Sequence, residues 1–422
     1  DGYCTTTSPR NPSPECCVIA KNNRMRGGPS RQVVNSLGVS HPKFTSSRSI
    51  RADKDCRSSL FHQPCVLPMP LILPFRNVTF LMLCVALPIA IGSFIAVVMP
   101  RLWQPNQTEV VVYTSLDEEF SQPIFDEFTR LTGIRVLAKF DTESTKTVGL
   151  TQALFAERDR PRCDLFWNNE IVNTLRLEQA GLLSQYVTAA AEEFPAQYGS
   201  ANGTWHGFAA RARVLIINTD LLPEEAWPSS IHDLENRDWQ GRGGIAKPLA
   251  GTTATHAACL FSVWGEARAR EFFRAVKANA KVMSGNKQVA VAVGNGELMF
   301  GLTDTDDAIV EKEKGLPVKI IYPDQGQQQL GTLFIPNTLA LIAGAPRRES
   351  AEKLADFLLS PAVERMLAEG PSAQIPLNPR VRYQPRVESP RTIRAMEVDF
   401  EAAAKQWNLA AEFLRQEFAN AD

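Results

Sequence analysis

The chain has 422 residues, 44% of them hydrophobic and 22% charged, with 45 basic side chains against 46 acidic ones. That balance excludes a chain that is disordered throughout. The near-zero net charge and the lack of a basic stripe also argue against a nucleic-acid binder. The length fits two or three domains, and the charge is divided unevenly among three regions. Residues 1–68 carry 10 Lys/Arg and 4 Asp/Glu, residues 69–105 only Arg76 and Arg101, and residues 106–422 hold 33 basic and 42 acidic groups.

Residues 1–68 are rich in Ser, Arg, Pro and Asn and show no sustained period. They read as disordered, or as sequence upstream of a start at Met69. From Val78 to Met99 run 22 residues without a charge, preceded by Arg76. At about 1.5 Å per residue such a run spans a bilayer core. No clear A-x-A site follows it, which favours an uncleaved anchor over a cleaved signal peptide. Either one would export the remainder. Gln104 to Thr108 reads as a linker.

From Glu109 the pattern becomes α/β. Strands are expected at 109–113, 134–140, 163–167, 213–218, 299–302, 318–322 and 338–343. Helices are expected at 117–131, 145–158, 170–180, 252–264, 267–278, 289–294, 350–359, 362–369 and 391–419. Phe120, Ile124, Phe125 and Phe128 mark the buried face of the first helix, and Gly133 its stop. This alternation predicts a mostly parallel sheet with helices on both faces. Of eight cysteines only Cys163 and Cys259 fall in the acidic part, without metal-ligand spacing. They read as two buried free thiols rather than a disulfide.

Ligands of open α/β sheets bind beyond the carboxyl ends of the strands. The residues there are Ser115 and Asp117 after the first strand, Asn169 and Glu170 after the third, and Asp304, Asp306 and Asp307 after the strand ending near Leu302. Each set also suits plain helix capping or a solvated turn. Three carboxylates within four residues repel one another, and a hard cation or an amine would relieve that repulsion. Gly251, Thr252 and Thr253 open a helix, where free N–H groups favour an anion. Arg211 and Arg213 start a long apolar strand, and one of them is placed to reach such an anion. Enzyme signals are poor: no nucleophile elbow or P-loop occurs, and His206, His232 and His256 stand singly.

Several of these segments together resemble the ferric-iron-type periplasmic solute-binding proteins of ABC transporters. They are Glu109-Val-Val-Val-Tyr113 through Ile134, Asp164-Leu-Phe-Trp167, Ala210-Arg211-Ala-Arg213 through Asn218, Val293-Gly-Asn-Gly-Glu297, and Ala351 through Ala362. The resemblance covers about Thr108 to Asn378. It implies a two-lobe α/β periplasmic-binding fold of type II, preceded by the signal or anchor segment. The first lobe would be 106–212 with 325–378, and the second 213–324 with 379–422. It also implies a monomer, no catalytic role, hinge closure on the solute and delivery to an ABC permease in the membrane.

The adjacent tyrosines that such relatives place after a Gly-Leu-x-x-x segment are replaced here by Asp306 and Asp307. The first-strand ligand of relatives falls on Asp117, and a Glu ligand falls near Asn169 or Glu170. The synergistic-anion site matches Gly251, Thr252 and Thr253, with Arg211 or Arg213. The ligand implied is Fe(III) or another hard cation, held by Asp117, Asp306 and Asp307 with an anion beside it. The alternatives are a small zwitterion such as an aminophosphonate, and an enzyme or sensor on the same fold.

Overall fold

The computed structural model describes residues 108–141 and 148–419. The leader at 1–68 and the uncharged run at 78–99 lie outside these residues. Among the described residues, no helix is long and apolar enough to cross a membrane.

The chain opens with β1 (Glu109–Thr114), α1 (Glu118–Thr132) and β2 (Arg135–Phe140), then α2 (Val148–Ala156), β3 (Leu165–Asn168), α3 (Val172–Gln179) and β4 (Leu183–Ser184). The α1 helix stops where expected. Gly133 takes φ 72° and its N–H bonds the Thr129 carbonyl at 2.8 Å, a left-handed cap that costs a glycine little. Ile124, Phe125 and Phe128 of α1 are buried, with Phe125 edge-on to Trp167 of β3.

A long strand, β5 (His206–Asn218), leads to β6 (Gly243–Ala246), α4 (Gly251–Trp264), α5 (Glu266–Asn279), β7 (Lys281–Met283) and α6 (Asn286–Gly294). Then come β8 (Phe300–Asp304), α7 (Thr305–Glu313), β9 (Val318–Ile321), β10 (Phe334–Ile342), α8 (Arg348–Leu358), α9 (Pro361–Glu369) and α10 (Phe400–Phe418). The helix expected from 391 begins only at 400, where Asp399 Oδ1 accepts the Ala402 N–H at 3.0 Å. The acidic segment read as a turn is the end of β8 and the first turn of α7.

The strands are ordered β2-β1-β3-β10-β5-β8-β6-β7, with β4 on β10 and β9 on β5. The sheet is mixed rather than mostly parallel. β1 is parallel to β2 and β3, and β6 to β7 and β8. β5 and β10 run antiparallel to every strand they touch. The βαβ pattern reports local crossovers only; β5 and β10 are long connectors that carry the chain between its two halves. Residues 206–212 of β5 pair with β10, and 213–218 with β8 and β9.

Phe125, Phe128, Trp167 and Phe208 form one buried cluster in the first half with Leu354 and Leu358 of α8. A second cluster runs across both halves, from Tyr113, Phe166 and Leu175 to Phe261, Phe272, Phe273 and Phe300, and is completed by Phe413 and Phe418 of α10. Cys163 and Cys259 are buried and unbridged, as expected.

Glycines let the second half pack closely beneath α6. A Cβ on Gly301 would stand 2.4 Å from Val289 Cγ1 and 3.1 Å from the Gly244 carbonyl oxygen, and Val289 is itself fully buried. Gly301→Ala is expected to cost about 1–3 kcal/mol through overpacking. At Gly199, where an added Cβ meets nothing within 4 Å, alanine should change stability by less than about 0.5 kcal/mol. Urea denaturation followed by far-UV circular dichroism compares the two; equal midpoints would contradict the packing account.

Candidate functional site

The parallel strands of both halves end at one place, and helices begin there. Between them lies a cavity of about 240 Å³. Asp117 lines it from the β1–α1 loop, Asn169 from the β3–α3 loop, and Arg211 from β5. Lys247 lines it from just after β6, Gly251, Thr252 and Thr253 from the start of α4, and Ser284, Gly285 and Asn286 from the start of α6. Asp304, Asp306 and Asp307 complete the wall at the β8–α7 junction.

An ion pair organises one side of this wall. Arg213 and Asp304 are opposite residues of the β5–β8 ladder. Arg213 Nη1 donates to Asp304 Oδ1 at 2.7 Å, and both side chains are buried. The same guanidinium donates to Thr252 Oγ1 at 3.2 Å, Thr253 Oγ1 at 3.2 Å and Asn286 Oδ1 at 3.1 Å. Asp304 Oδ2 accepts from the Thr252 hydroxyl and, at 2.9 Å, from Asn286 Nδ2. One buried pair thus fixes the starts of α4 and α6 against the end of β8.

Arg211 lies two residues earlier on the same face of β5. Its Nη1 is 3.4 Å from Asp306 Oδ2, and its Nη2 donates to Asn337 Oδ1 at 3.4 Å. Burial opposes its charge, but Asp306, Asp304, Asp307 and Asp117 together hold its proton affinity above the usual guanidinium value. Asp304, Asp306 and Asp307 each bring a carboxylate oxygen within 4.8 Å of the others, a grouping able to hold a metal ion. Two of the three already face arginines.

The remaining sequence candidates stand behind the wall. The Ser115 hydroxyl donates to Asn168 Oδ1 at 2.8 Å and accepts the Asn169 N–H at 2.9 Å, which holds the β3–α3 loop in place. Glu170 is buried and accepts the Thr255 hydroxyl at 2.6 Å. Neither of these, nor Arg213, is among the residues lining the cavity. Sequence reasoning assigned no role to Lys247, Ser284, Gly285 or Asn286. Lys247 could have been found had the Gly243-Gly-Ile-Ala246 segment been read as a strand, since the residue after it then falls on the carboxyl edge.

The cavity is bipolar. The N-cap residues of α4 and α6, Ala250 and Gly285, make no side-chain capping bond. Two helix starts and Lys247 therefore face the same space, an arrangement that favours an anion. The carboxylates of Asp117 and Asp307 also line it, and both act on Arg211 and on Lys287. Asn169 Oδ1 is buried in the wall without a hydrogen-bond partner and so offers an acceptor to a bound donor.

Comparison with known proteins agrees with this architecture. The profile of the family described as bacterial extracellular solute-binding protein matches residues 170–400. The major ferric iron-binding protein of Neisseria meningitidis is 26% identical over 281 residues, covering 66% of this chain and 83% of that protein. A putative 2-aminoethylphosphonate-binding periplasmic protein of Salmonella paratyphi A is 25% identical over 288 residues, covering 67% and 82%. The crystal structure of iron-bound HitA from Pseudomonas aeruginosa superposes with a TM-score of 0.67 at 23% identity, covering 74% of this chain and 99% of that one.

Two outcomes follow from the charges in the wall. Asp304→Asn leaves the Arg213 guanidinium buried without its counter-charge, which is expected to cost about 3–5 kcal/mol of stability. Asp307→Asn, on a half-buried carboxylate, should cost less than about 1 kcal/mol. Urea denaturation of the two variants side by side checks the contrast.

The second outcome concerns His256 on α4, whose pKa burial, helped by the charge of Arg213, pushes down to about 3. The unfolded chain takes up this proton near pH 6.5 and the folded chain does not, so His256 adds its full stability above pH 6.5. That share is lost as pH falls toward 3, at up to about 1.4 kcal/mol per pH unit. His256→Gln should flatten this part of the stability–pH curve; an unchanged slope in chemical denaturation between pH 4 and 7 would contradict it.

Proposed function

Because the chain belongs to the bacterial extracellular solute-binding protein family, we propose that it is the exported solute-capturing subunit of an ABC importer. The family is one of binding proteins rather than enzymes. In this reading the first lobe is 106–212 with 325–378 and the second 213–324 with 379–422. β5 and β10 form the crossing segments, the lobes close over the cavity, and the closed form is presented to a membrane permease. The protein works in the periplasm as a monomer.

For the solute, the geometry best supports a small organic zwitterion of the aminophosphonate class. The observation that carries this is the pairing, in one cavity, of two helix starts and Lys247 with the carboxylates of Asp117 and Asp307. A phosphonate or carboxylate head would meet the helix starts and Lys247. An ammonium would meet Asp117, Asp307 and the acceptor oxygen of Asn169. The Salmonella relative named for 2-aminoethylphosphonate supports the same class.

A second reading, Fe(III), has its own support in the Neisseria relative and in the Asp304–Asp306–Asp307 grouping. Asp117, Asp306 and Asp307 would then ligate iron as cargo, with a synergistic anion at Gly251, Thr252 and Thr253. Against it, Arg211 and Arg213 already offset two carboxylates of that grouping. The tyrosine pair of the ferric pattern is absent as well.

Calorimetric titration of the full chain with 2-aminoethylphosphonate, and separately with ferric citrate, separates the two. For the zwitterion, Lys247→Met should weaken 2-aminoethylphosphonate binding by about 10- to 100-fold, the worth of one charged hydrogen bond. For iron, the same substitution should leave ferric binding intact, while Asp306→Asn with Asp307→Asn abolishes it. Wild-type affinity for 2-aminoethylphosphonate in Lys247→Met would overturn the zwitterion reading.

A further inference from the structure

Glu170 is the one acid of the candidate set that is fully buried and yet absent from the cavity wall. It sits on the loop after β3, in the first half of the molecule. Its Oε1 accepts from Asn168 Nδ2 at 2.9 Å and from the Asn173 N–H at 3.1 Å. Asn168 in turn bonds Ser115 of the β1–α1 loop, and also Thr174, whose hydroxyl meets that of Thr338 on β10 at 2.6 Å. The carboxylate is therefore held rigidly by its own half of the molecule. Its other oxygen, Oε2, accepts the Thr255 hydroxyl at 2.6 Å. Thr255 belongs to α4, the helix clamped to the second half through Arg213, and lies one turn below the residues that open that helix on the cavity.

We propose that this Glu170–Thr255 bond is an interlobe latch: it holds the closed form from behind the cavity and sets how tightly solute is retained without touching it. The proposal rests on the two-lobe reading above. A charged hydrogen bond in a buried setting is among the stronger ones, because both groups have left water to make it. When the lobes part, the carboxylate keeps Asn168 and Asn173 and loses only Thr255. The bond is thus made in one state and broken in the other, and only such differential contacts shift a conformational equilibrium. Other contacts cross between the lobes as well: Arg211 Nη1 to Asp306 Oδ2 at 3.4 Å, the Arg176 guanidinium over the Trp407 ring at 5.0 Å, and Lys287 Nζ to Glu119 Oε1 at 3.0 Å, the last between exposed side chains and worth little in water. Glu170 is in these terms a positioning residue, whereas a residue that ligates solute would leave the empty protein unaffected.

The test is hydrogen–deuterium exchange with mass spectrometry on the full chain, first without solute. Thr255→Val replaces a hydroxyl by a methyl of similar size. The latch predicts faster exchange, by about tenfold for the loss of one charged bond, in residues 168–173, 251–256 and 284–288 together. Exchange in the interior of β1 should stay as in the wild type. Thr255→Ser should restore the slow exchange, and Lys287→Gln should produce a smaller effect in the same segments. Wild-type exchange in Thr255→Val, or acceleration confined to 168–173, would overturn the latch. The second measurement adds 2-aminoethylphosphonate, for which Thr255→Val should weaken binding by a similar factor. Should the wild type not bind that probe, the solute reading fails, and the solute-free exchange still decides the latch.

Discussion

A single buried ion pair dictates the form of the binding region. Taking Arg213 and Asp304 out of water costs several kcal/mol per ion, a cost that their attraction offsets only if the remaining hydrogen-bonding capacity is also filled. The sequence fills most of it with Thr252, Thr253 and Asn286. Two of these open one helix and the third opens another. Satisfying the pair thus draws two helix N-termini to one point, and the positive end of the cavity is a by-product of that requirement. The pair also sits where β5 passes from β10 to β8, so the strand that links the halves is pinned where it changes partners.

The same accounting redistributes the acids. Read along the chain, Asp304, Asp306 and Asp307 form a cluster with strong mutual repulsion. In the fold Asp304 is matched by Arg213 and Asp306 approaches Arg211, and Asp307 shares the rim with Asp117. Most of the negative charge is therefore spent inside the protein. What faces the cavity is the acidic edge of Asp117 and Asp307 beside Lys247 and two helix starts.

The βαβ units were legible because their apolar periods are long and their stops are glycines, as at Gly133. The connectors were not. β5 is longer than its apolar stretch, since His206, Arg211 and Arg213 interrupt the run while remaining in the ladder. β6 and β7 are three or four residues each, too short for any period. The mixed strand direction escaped because direction depends on where a strand goes, which local pattern does not record. Nine of the twelve site candidates reached the cavity wall, since the rule that ligands gather at carboxyl edges needs only strand ends. Ser115, Glu170 and Arg213 have the same chemistry at similar spacing, but the side-chain direction that places them behind the wall is fixed by tertiary partners. Lys247 and Asn286 were hidden for the opposite reason: their edge belongs to strands that could not be read.

The long helix α10 has a consequence for how the molecule is made. Phe413 packs on Phe261 and Phe418 on Phe273, while Glu417 pairs with Arg274 and Lys277. Trp407 also stacks under the Arg176 guanidinium, 5.0 Å away on the other half. These contacts join segments more than a hundred residues apart in the chain. The buried cluster that runs across both halves is therefore complete only when residues 400–418 are in place. Contacts between segments so far apart in the chain form slowly compared with local ones, so α10 closes the core last and its docking is the step on which the final packing waits.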